Sequence, residues 1–415
     1  MKNKILHKYD FSAQNATDPS FSFVEKLGRA LHRYGLPSHR IEDALVAVAE
    51  RLGLQGQFFA TPTAIFASLE RDGAERTILI RVEPGEVDLE KLSRLDALLA
   101  DVIQGAVAPT EASRAVDEIT AAAPRYRGWM VMAGFAIASA SASRFFGGGW
   151  REFAVCAAIG LATGALAHLS GRFAGRFRVF EPLAAFVAGL IAASAGALFS
   201  PVSVYVATCA GLIVLIPGLS LTVAINELAT RNLAAGTVRL SYALLIFLQI
   251  GFGVAVGLKL ATLLFGVAPV VEPAALPTWT LFASLAVTAV GLTILFKARP
   301  EDVGWVGLAG AIAFTGARLG AHAAGPEIGA FTGALLVGMA SNAFARLRQR
   351  PAMVMLVPGI MLLVPGSIGF QSVSSLIAAD VVSGMRLAFT VGIMGIALVT
   401  GLLIANALIQ PRRSL

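Results

Sequence analysis

From residue 128 to residue 409 the sequence is one apolar run after another, each close to the ~20 residues a membrane-spanning helix needs. Such a chain has few folds open to it, because backbone polar groups in lipid must be satisfied internally and only helices or closed barrels achieve that. The runs fall at about 128–146, 152–169, 181–199, 202–219, 239–265, 278–296, 303–320, 326–343, 352–368 and 385–409. Ten spanning helices are therefore expected. A mean hydropathy of +0.73 with only 14% charged residues excludes an ordinary soluble protein.

The charges are unevenly placed. Residues 1–127 hold 18 of the 26 acids, and the rest of the chain holds only Glu152, Glu181, Glu227, Glu272, Glu301, Asp302, Glu327 and Asp380. The first part carries 16 basic residues and a balance of −2; the second carries 17 and a balance of +9. The basic pI thus belongs to membrane loops and is no nucleic-acid footprint. With a cytoplasmic N-terminus, the inside connections carry Arg172, Arg176, Arg178, Arg231, Arg239, Lys297, Arg299, Arg346, Arg348, Arg350, Arg412 and Arg413. The outside ones carry Arg144, Arg151, Arg318 and Arg386. This bias fits ten spans with both termini inside. No apolar stretch follows the basic N-terminus, so no cleavable signal is expected and the first domain is expected to stay in the cytoplasm.

Residues 1–20 are polar and expected to be disordered. Helices are expected at 21–34 and 38–52, then strands over 58–69 and 77–82 joined by a turn at Arg71-Asp72-Gly73, then helices at 88–103 and 110–122. The domain organisation is thus a small cytoplasmic α+β domain at 21–123, a first five-span half at 124–265 and a second at 277–409. Cys156 and Cys209 lie in apolar runs and read as small hydrophobes. No metal or redox cofactor is indicated.

Two stretches break the pattern of plain lipid-compatible helix. Leu212–Gly236 sets Ile216-Pro217-Gly218 before a polar segment, and Ile360–Gly384 sets Pro365-Gly366 at the same place 148 residues later. The same offset pairs Leu228 with Leu376 and Gly236 with Gly384. Proline lacks an N–H and glycine weakens a helix, so each stretch is expected to bend or unwind there. Five spans is an odd number, so the two halves are expected to lie upside down relative to each other, as in inverted-repeat transporters working by alternating access.

Unwound helices offer N–H groups to a carboxylate and carbonyls to an ammonium. Candidate substrate contacts are Pro217, Gly218, Ser220, Thr222, Asn226, Gln249, Pro365, Gly366, Ser367 and Gln371, with Ser372, Ser374 and Ser375 nearby. Polar residues of this kind also serve helix packing. Glu227 and Asp380 lie just past the breaks and are the candidates for proton coupling; Glu227 also fits an interfacial acid beside Arg231, and Asp380 a loop residue near Arg386. Lys259 is placed to snorkel, and His168 and His322 to sit at the interface. Gly160/Gly164, Gly253/Gly257, Gly329/Gly333 and Ala330/Ala334 give small faces for close helix packing.

At Ile216–Arg239 the sequence resembles the threonine/serine exporter family, whose first half carries a proline-glycine, an acid about ten residues on, and glycine-x-x-arginine before the next span. Here those are Pro217, Gly218, Glu227, Gly236 and Arg239. The resemblance extends to Gly35-Leu-Pro-Ser-His-Arg40-Ile-Glu42 and Thr61-Pro62-Thr63-Ala64-Ile65, and in the second half to Leu356–Ser367. One departure is Glu227, where the family is associated with Asp. The resemblance implies proton-driven export of threonine and serine across the cytoplasmic (inner) membrane, with small amino acids, protons and the bilayer as partners and homo-oligomers conceivable. Export of small carboxylates such as succinate, on the same architecture, stays open.

Other classes are weaker. The first domain clusters His32, Ser38, His39, Glu42 and Asp43, but lacks G-x-S-x-G, cysteine and H-E-x-x-H, so no catalytic residue is assigned. A passive channel would need no coupling acid.

Overall fold

The computed structural model describes residues 18–83, 85–172, 179–199 and 201–411. These divide into two compact units: residues up to Glu86 with Lys91–Ala123, and Val87–Glu90 with the chain from Pro124 onward. The expectation of disorder over 1–20 lies outside the described residues except at its end, where helix α1 already begins at Pro19. Arg176, Arg178, Arg412, Arg413 and the side chain of Arg172 also lie outside them.

The first unit holds α1 (Pro19–Arg33), α2 (Ser38–Arg51), strands β1 (Gln55–Thr61), β2 (Ala64–Arg71) and β3 (Ala74–Arg81), then α3 (Leu89–Gln104) from Lys91 onward and α4 (Pro109–Ala121). The sheet is antiparallel in the order β1-β2-β3. The sequence suggested one strand over 58–69; there are two, folded back at Pro62-Thr63. Thr61 closes that turn, since its hydroxyl donates to the Ala64 carbonyl and accepts from the Ala64 N–H, both at 3.1 Å. A run of strand-forming residues hid a local side-chain turn. Phe23, Leu27, Leu31, Ile41, Leu45, Ile65, Leu69 and Ile80 are fully buried and make its core.

The second unit is helical: α5 (Gly128–Phe145), α6 (Trp150–Arg172), α7 (Phe180–Leu198), α8 (Val204–Gly211), α9 (Gly218–Ala229), α10 (Leu233–Phe265), α11 (Trp279–Leu295), α12 (Val303–Ala324), α13 (Pro326–Arg348), α14 (Met353–Met361), α15 (Gly366–Ile377) and α16 (Val381–Leu408). Among the described residues seven helical segments are long and apolar enough to cross a membrane, with two shorter apolar helices, α9 and α11. The chain is a multi-span helical membrane protein. The expected fourth and ninth spans each resolve into two short helices, α8/α9 and α14/α15, and together each pair runs about ten residues further than the sequence suggested. Pro358 lies inside α14 without ending it.

Small residues bring the long helices together. A Cβ placed on Gly164 would lie 2.9 Å from Met132 Cα on α5, and one on Gly329 2.5 Å from the Ala317 carbonyl on α12. Close backbone approach of this sort supplies van der Waals contact where lipid offers no hydrophobic drive. Among the described residues two of the buried clusters are large, and each takes residues from both halves. Ile159, Ala188, Ile216, Leu221 and Ile250 pack with Phe370 and Val391, while Ala313, Val337, Ile360 and Leu398 pack with Leu219.

Candidate functional site

The site begins where α8 and α14 stop. Past Gly211 the chain coils rather than continuing, because Pro217 has no N–H to give. Leu215 and Ile216 both donate to the Leu212 carbonyl, at 2.8 and 3.2 Å. Past Met361 the same happens 148 residues on: Leu363 and Val364 donate to the Ile360 carbonyl at 2.8 and 3.1 Å. Pro217 adopts φ −78°, ψ 44° and Pro365 φ −77°, ψ 31°. α9 and α15 then start at the glycines and have 12 residues each.

Their far ends match as well. Arg231 and Ala379 both take a left-handed φ, 66° and 64°. Arg231 donates to the Leu228 carbonyl and Ala379 to the Leu376 carbonyl, each at 3.1 Å; Asn232 and Asp380 close on Glu227 and Ser375 at 2.8 and 2.9 Å. Gly236 and Gly384 then let α10 and α16 lie on the preceding helix, since a Cβ there would come 2.7 Å from Leu228 Cγ or 2.6 Å from Leu376 Cγ.

The two breaks meet. A Cβ on Gly218 would be 3.5 Å from Gly366 Cα, and one on Gly366 would be 3.5 Å from Gly218 Cα. The residue before each proline covers the glycine of the other half: Ile216 Cγ2 would come 2.6 Å from a Cβ on Gly366, and Val364 would overlap a Cβ on Gly218. Glycine is required at both places by this close approach. Further along, Val373 seats against Gly251 of α10 and its counterpart Ile225 against Gly395 of α16.

The breaks leave backbone groups unspent. Among the described residues the N–H groups of Leu219, Ser220, Ser367 and Ile368, and the carbonyls of Ile213, Val214, Leu215, Leu362, Leu363 and Val364, take part in no hydrogen bond. The Gly211 carbonyl is satisfied by the Ser139 hydroxyl of α5 at 2.9 Å. The N-terminal ends of α9 and α15 carry the positive ends of their helix dipoles to the crossing.

Charge enters from one half alone. Glu227 is fully buried and takes a bidentate pair from Arg239 of α10, Nε to Oε2 at 3.0 Å and Nη2 to Oε1 at 3.2 Å. This corrects the view of Glu227 as an interfacial acid beside Arg231, which is exposed; Arg239 is a partner in the protein rather than a loop charge. Positions 375 and 387, the counterparts in the second half, are serine and leucine.

The other candidates divide. Ser220, Asn226 and Ser367 are half-buried with no side-chain hydrogen bond among the described residues. Thr222 is spent on the Gly218 carbonyl at 3.2 Å, Ser372 on the Gly384 carbonyl at 2.7 Å, and Gln371 donates to the Tyr205 hydroxyl of α8. Gln249 sits on the stripe of α10 that also holds the exposed Leu245, Phe252 and Val256, away from the face that meets α15. Asp380 is exposed; its carboxylate accepts the Ser383 N–H at 3.1 Å and caps α16. Hydrogen bonding to Ser383 holds it below the usual carboxylate range. Asp380 is thus engaged as a helix cap, and Gln249 lies off the α15-facing stripe of α10.

Other residues went unmarked. Glu152, buried, accepts the Gly149 and Ser203 N–H groups at 2.9 and 2.8 Å and so fixes the start of α8. Near the start of α14, buried Asp302 holds Arg350 at 2.5 and 2.6 Å. Their signal was their rarity: both are among the eight acids after residue 127.

A many-span helical protein with two broken helices crossing at their glycines has the form of a membrane transporter. Residues 22–261 match the family described as "Putative threonine/serine exporter" and residues 281–408 the family described as "Threonine/Serine exporter, ThrE"; the chain belongs to the threonine/serine exporter family. Among curated proteins it is similar to pheromone-regulated membrane protein 10 of Eremothecium gossypii, 29% identical over 84% of this chain and 48% of that protein. The Candida albicans (strain WO-1) protein of that name is 29% identical over 86% of this chain and 34% of its own length. The Saccharomyces cerevisiae one is 27% identical over 89% and 48%. The chain spans about half or less of these relatives. No solved structure matches it significantly.

Proposed function

We propose that the protein is a secondary transporter exporting threonine and serine across the cytoplasmic membrane, driven by the proton gradient. Ten spans, counting α8/α9 and α14/α15 as one each, form two five-span repeats of inverted orientation with both termini cytoplasmic. The observation that carries this reading is the meeting of the two breaks with their backbone N–H and carbonyl groups unspent. An unsatisfied backbone group in lipid costs several kcal/mol, on the order of a lost hydrogen bond or more, so these groups need water or a ligand. A zwitterion suits them, its carboxylate on the N–H groups of one half-helix and its ammonium on the freed carbonyls. Ser220, Asn226 and Ser367 add side-chain partners beside the glycines.

Glu227 is the group assigned to the proton. Protonation would weaken its hold on Arg239 and so loosen α9 from α10, linking the proton to movement of the half-helix. Asp380, exposed and capping a helix, is left to structure. A second reading draws on the convergence of two helix N-termini: a small dicarboxylate such as succinate would place one carboxylate on each.

The test is uptake of labelled threonine and serine into proteoliposomes with and without an imposed proton gradient, with succinate in parallel. Gradient-driven movement of the amino acids, lost in Glu227→Gln, is expected. Saturable succinate movement without amino-acid movement would select the second reading, and movement of neither would refute both.

A further inference from the structure

Ile216 and Val364 are the side chains that fill the crossing. Ile216 is buried and lies on Gly366; Val364 is half-buried and lies on Gly218. They occupy equivalent positions, 148 residues apart, each directly before its proline. Each also reaches across to the other half. A ligand held by the first N–H groups of α9 therefore has Val364 as its neighbour, and one held by the first N–H groups of α15 has Ile216. Both residues branch at Cβ and have few rotamers to retreat into, so room for a ligand's side chain depends on their size.

We propose that Ile216 and Val364 are the specificity-determining residues of the transporter, an apolar filter that sets the largest side chain or carbon chain allowed past the two half-helix N-termini. This rests on the transport reading and adds to it the limit on substrate size. Polar groups at the breaks then recognise what all substrates share, and the two branched side chains sort substrates by bulk. One methylene in an apolar pocket changes discrimination about 10- to 200-fold, so removing methyl groups here has a measurable consequence.

The experiment compares wild-type protein with Ile216→Ala, Val364→Ala and the pair in proteoliposomes. Two series are used, serine, threonine, valine and leucine, and succinate, glutarate and adipate. Ile216→Val and Val364→Thr serve as mild variants if the alanine forms do not fold, with folding checked by thermal melting and elution volume. The ratio of leucine to threonine transport is expected to rise about tenfold or more in the alanine variants, and Val364→Leu is expected to depress threonine relative to serine. If the wild type moves only carboxylates, the amino-acid reading fails while the filter is still read from the adipate-to-succinate ratio. Ratios unchanged in every folded variant, in whichever series moves, overturn the filter. Absence of transport and of ligand-induced thermal shift in both series overturns it together with the reading beneath it.

Discussion

The two halves of the membrane unit follow the same backbone path through their breaks and then part company in side-chain chemistry. At the matching positions the proline torsions agree within 13° in ψ, the turn residues share a left-handed φ, and the closing hydrogen bonds repeat. Yet Glu227 and Arg239 correspond to Ser375 and Leu387, Thr222 to Phe370, and Ala224 to Ser372. Backbone form is set by a few residues, a proline, a glycine at the crossing and a glycine beneath the next helix, so it tolerates divergence elsewhere. The Glu227–Arg239 pair beside the break belongs to the first half alone; the second half's buried pair, Asp302–Arg350, lies before α12 and α14 at positions that do not correspond to it. On the proposed reading, the shared geometry serves the movement of both halves and the unshared charge serves the proton.

Crowding the crossing should do most to break the likeness. Gly218→Leu and Gly366→Leu are each expected to reduce transport to background, because neither Val364 nor Ile216 has room to give; overpacking alone costs about 1–3 kcal/mol, and uptake by folded, purified variants measures the rest. Next in size is the ion pair. Arg239→Leu leaves a buried carboxylate without its guanidinium and is expected to lower stability by about 3 kcal/mol, the low end for a buried pair. Glu227→Ser with Arg239→Leu, which copies the second half into the first, is expected to recover most of that stability in a thermal melt but none of the gradient-driven transport.

Ser372→Ala, which copies the first half's Ala224 into the second, removes one buried hydrogen bond to the Gly384 carbonyl. About 1 kcal/mol of stability should be lost, with transport kept. Asp380→Asn should do least. The Asp380 carboxyl has a lowered pKa when folded, so its contribution is fully present above its unfolded value of about 3.9 and fades as pH falls through the lower folded one. Between pH 5 and 8 the variant and wild type should therefore show the same pH profile of transport; a shifted profile would return Asp380 to the proton pathway.

Much of this was legible in the sequence. Apolar run length marked the membrane unit, and the paired Pro-Gly at a constant offset marked both breaks, since proline's missing N–H acts locally wherever it stands. The glycine pairs marked close helix contacts because a residue without a Cβ lets a neighbouring backbone approach. What the sequence did not carry was direction. Gln249, on the next span, lies on the exposed stripe of α10, Asp380 is exposed and caps α16, and Arg239, twelve residues from Glu227, reaches it only because the turn after α9 lays α10 back on that helix at Gly236. The hairpin at Pro62-Thr63 was masked by strand-forming residues on both sides. Contact between Gly218 and Gly366 is a tertiary fact, and the sequence hinted at it only through the equivalence of the two stretches.

The central claim is that substrate passes where the two breaks cross. Single cysteines at Ser220 and Ser367, in a Cys156→Ser/Cys209→Ser background, report on it through their rates of modification by a membrane-impermeant thiol reagent applied from each side. Saturating threonine, or succinate if that is what moves, is predicted to slow modification at both positions. The two are also predicted to respond oppositely when the gradient is reversed. Modification rates at both positions that are indifferent to transported substrate would contradict the account.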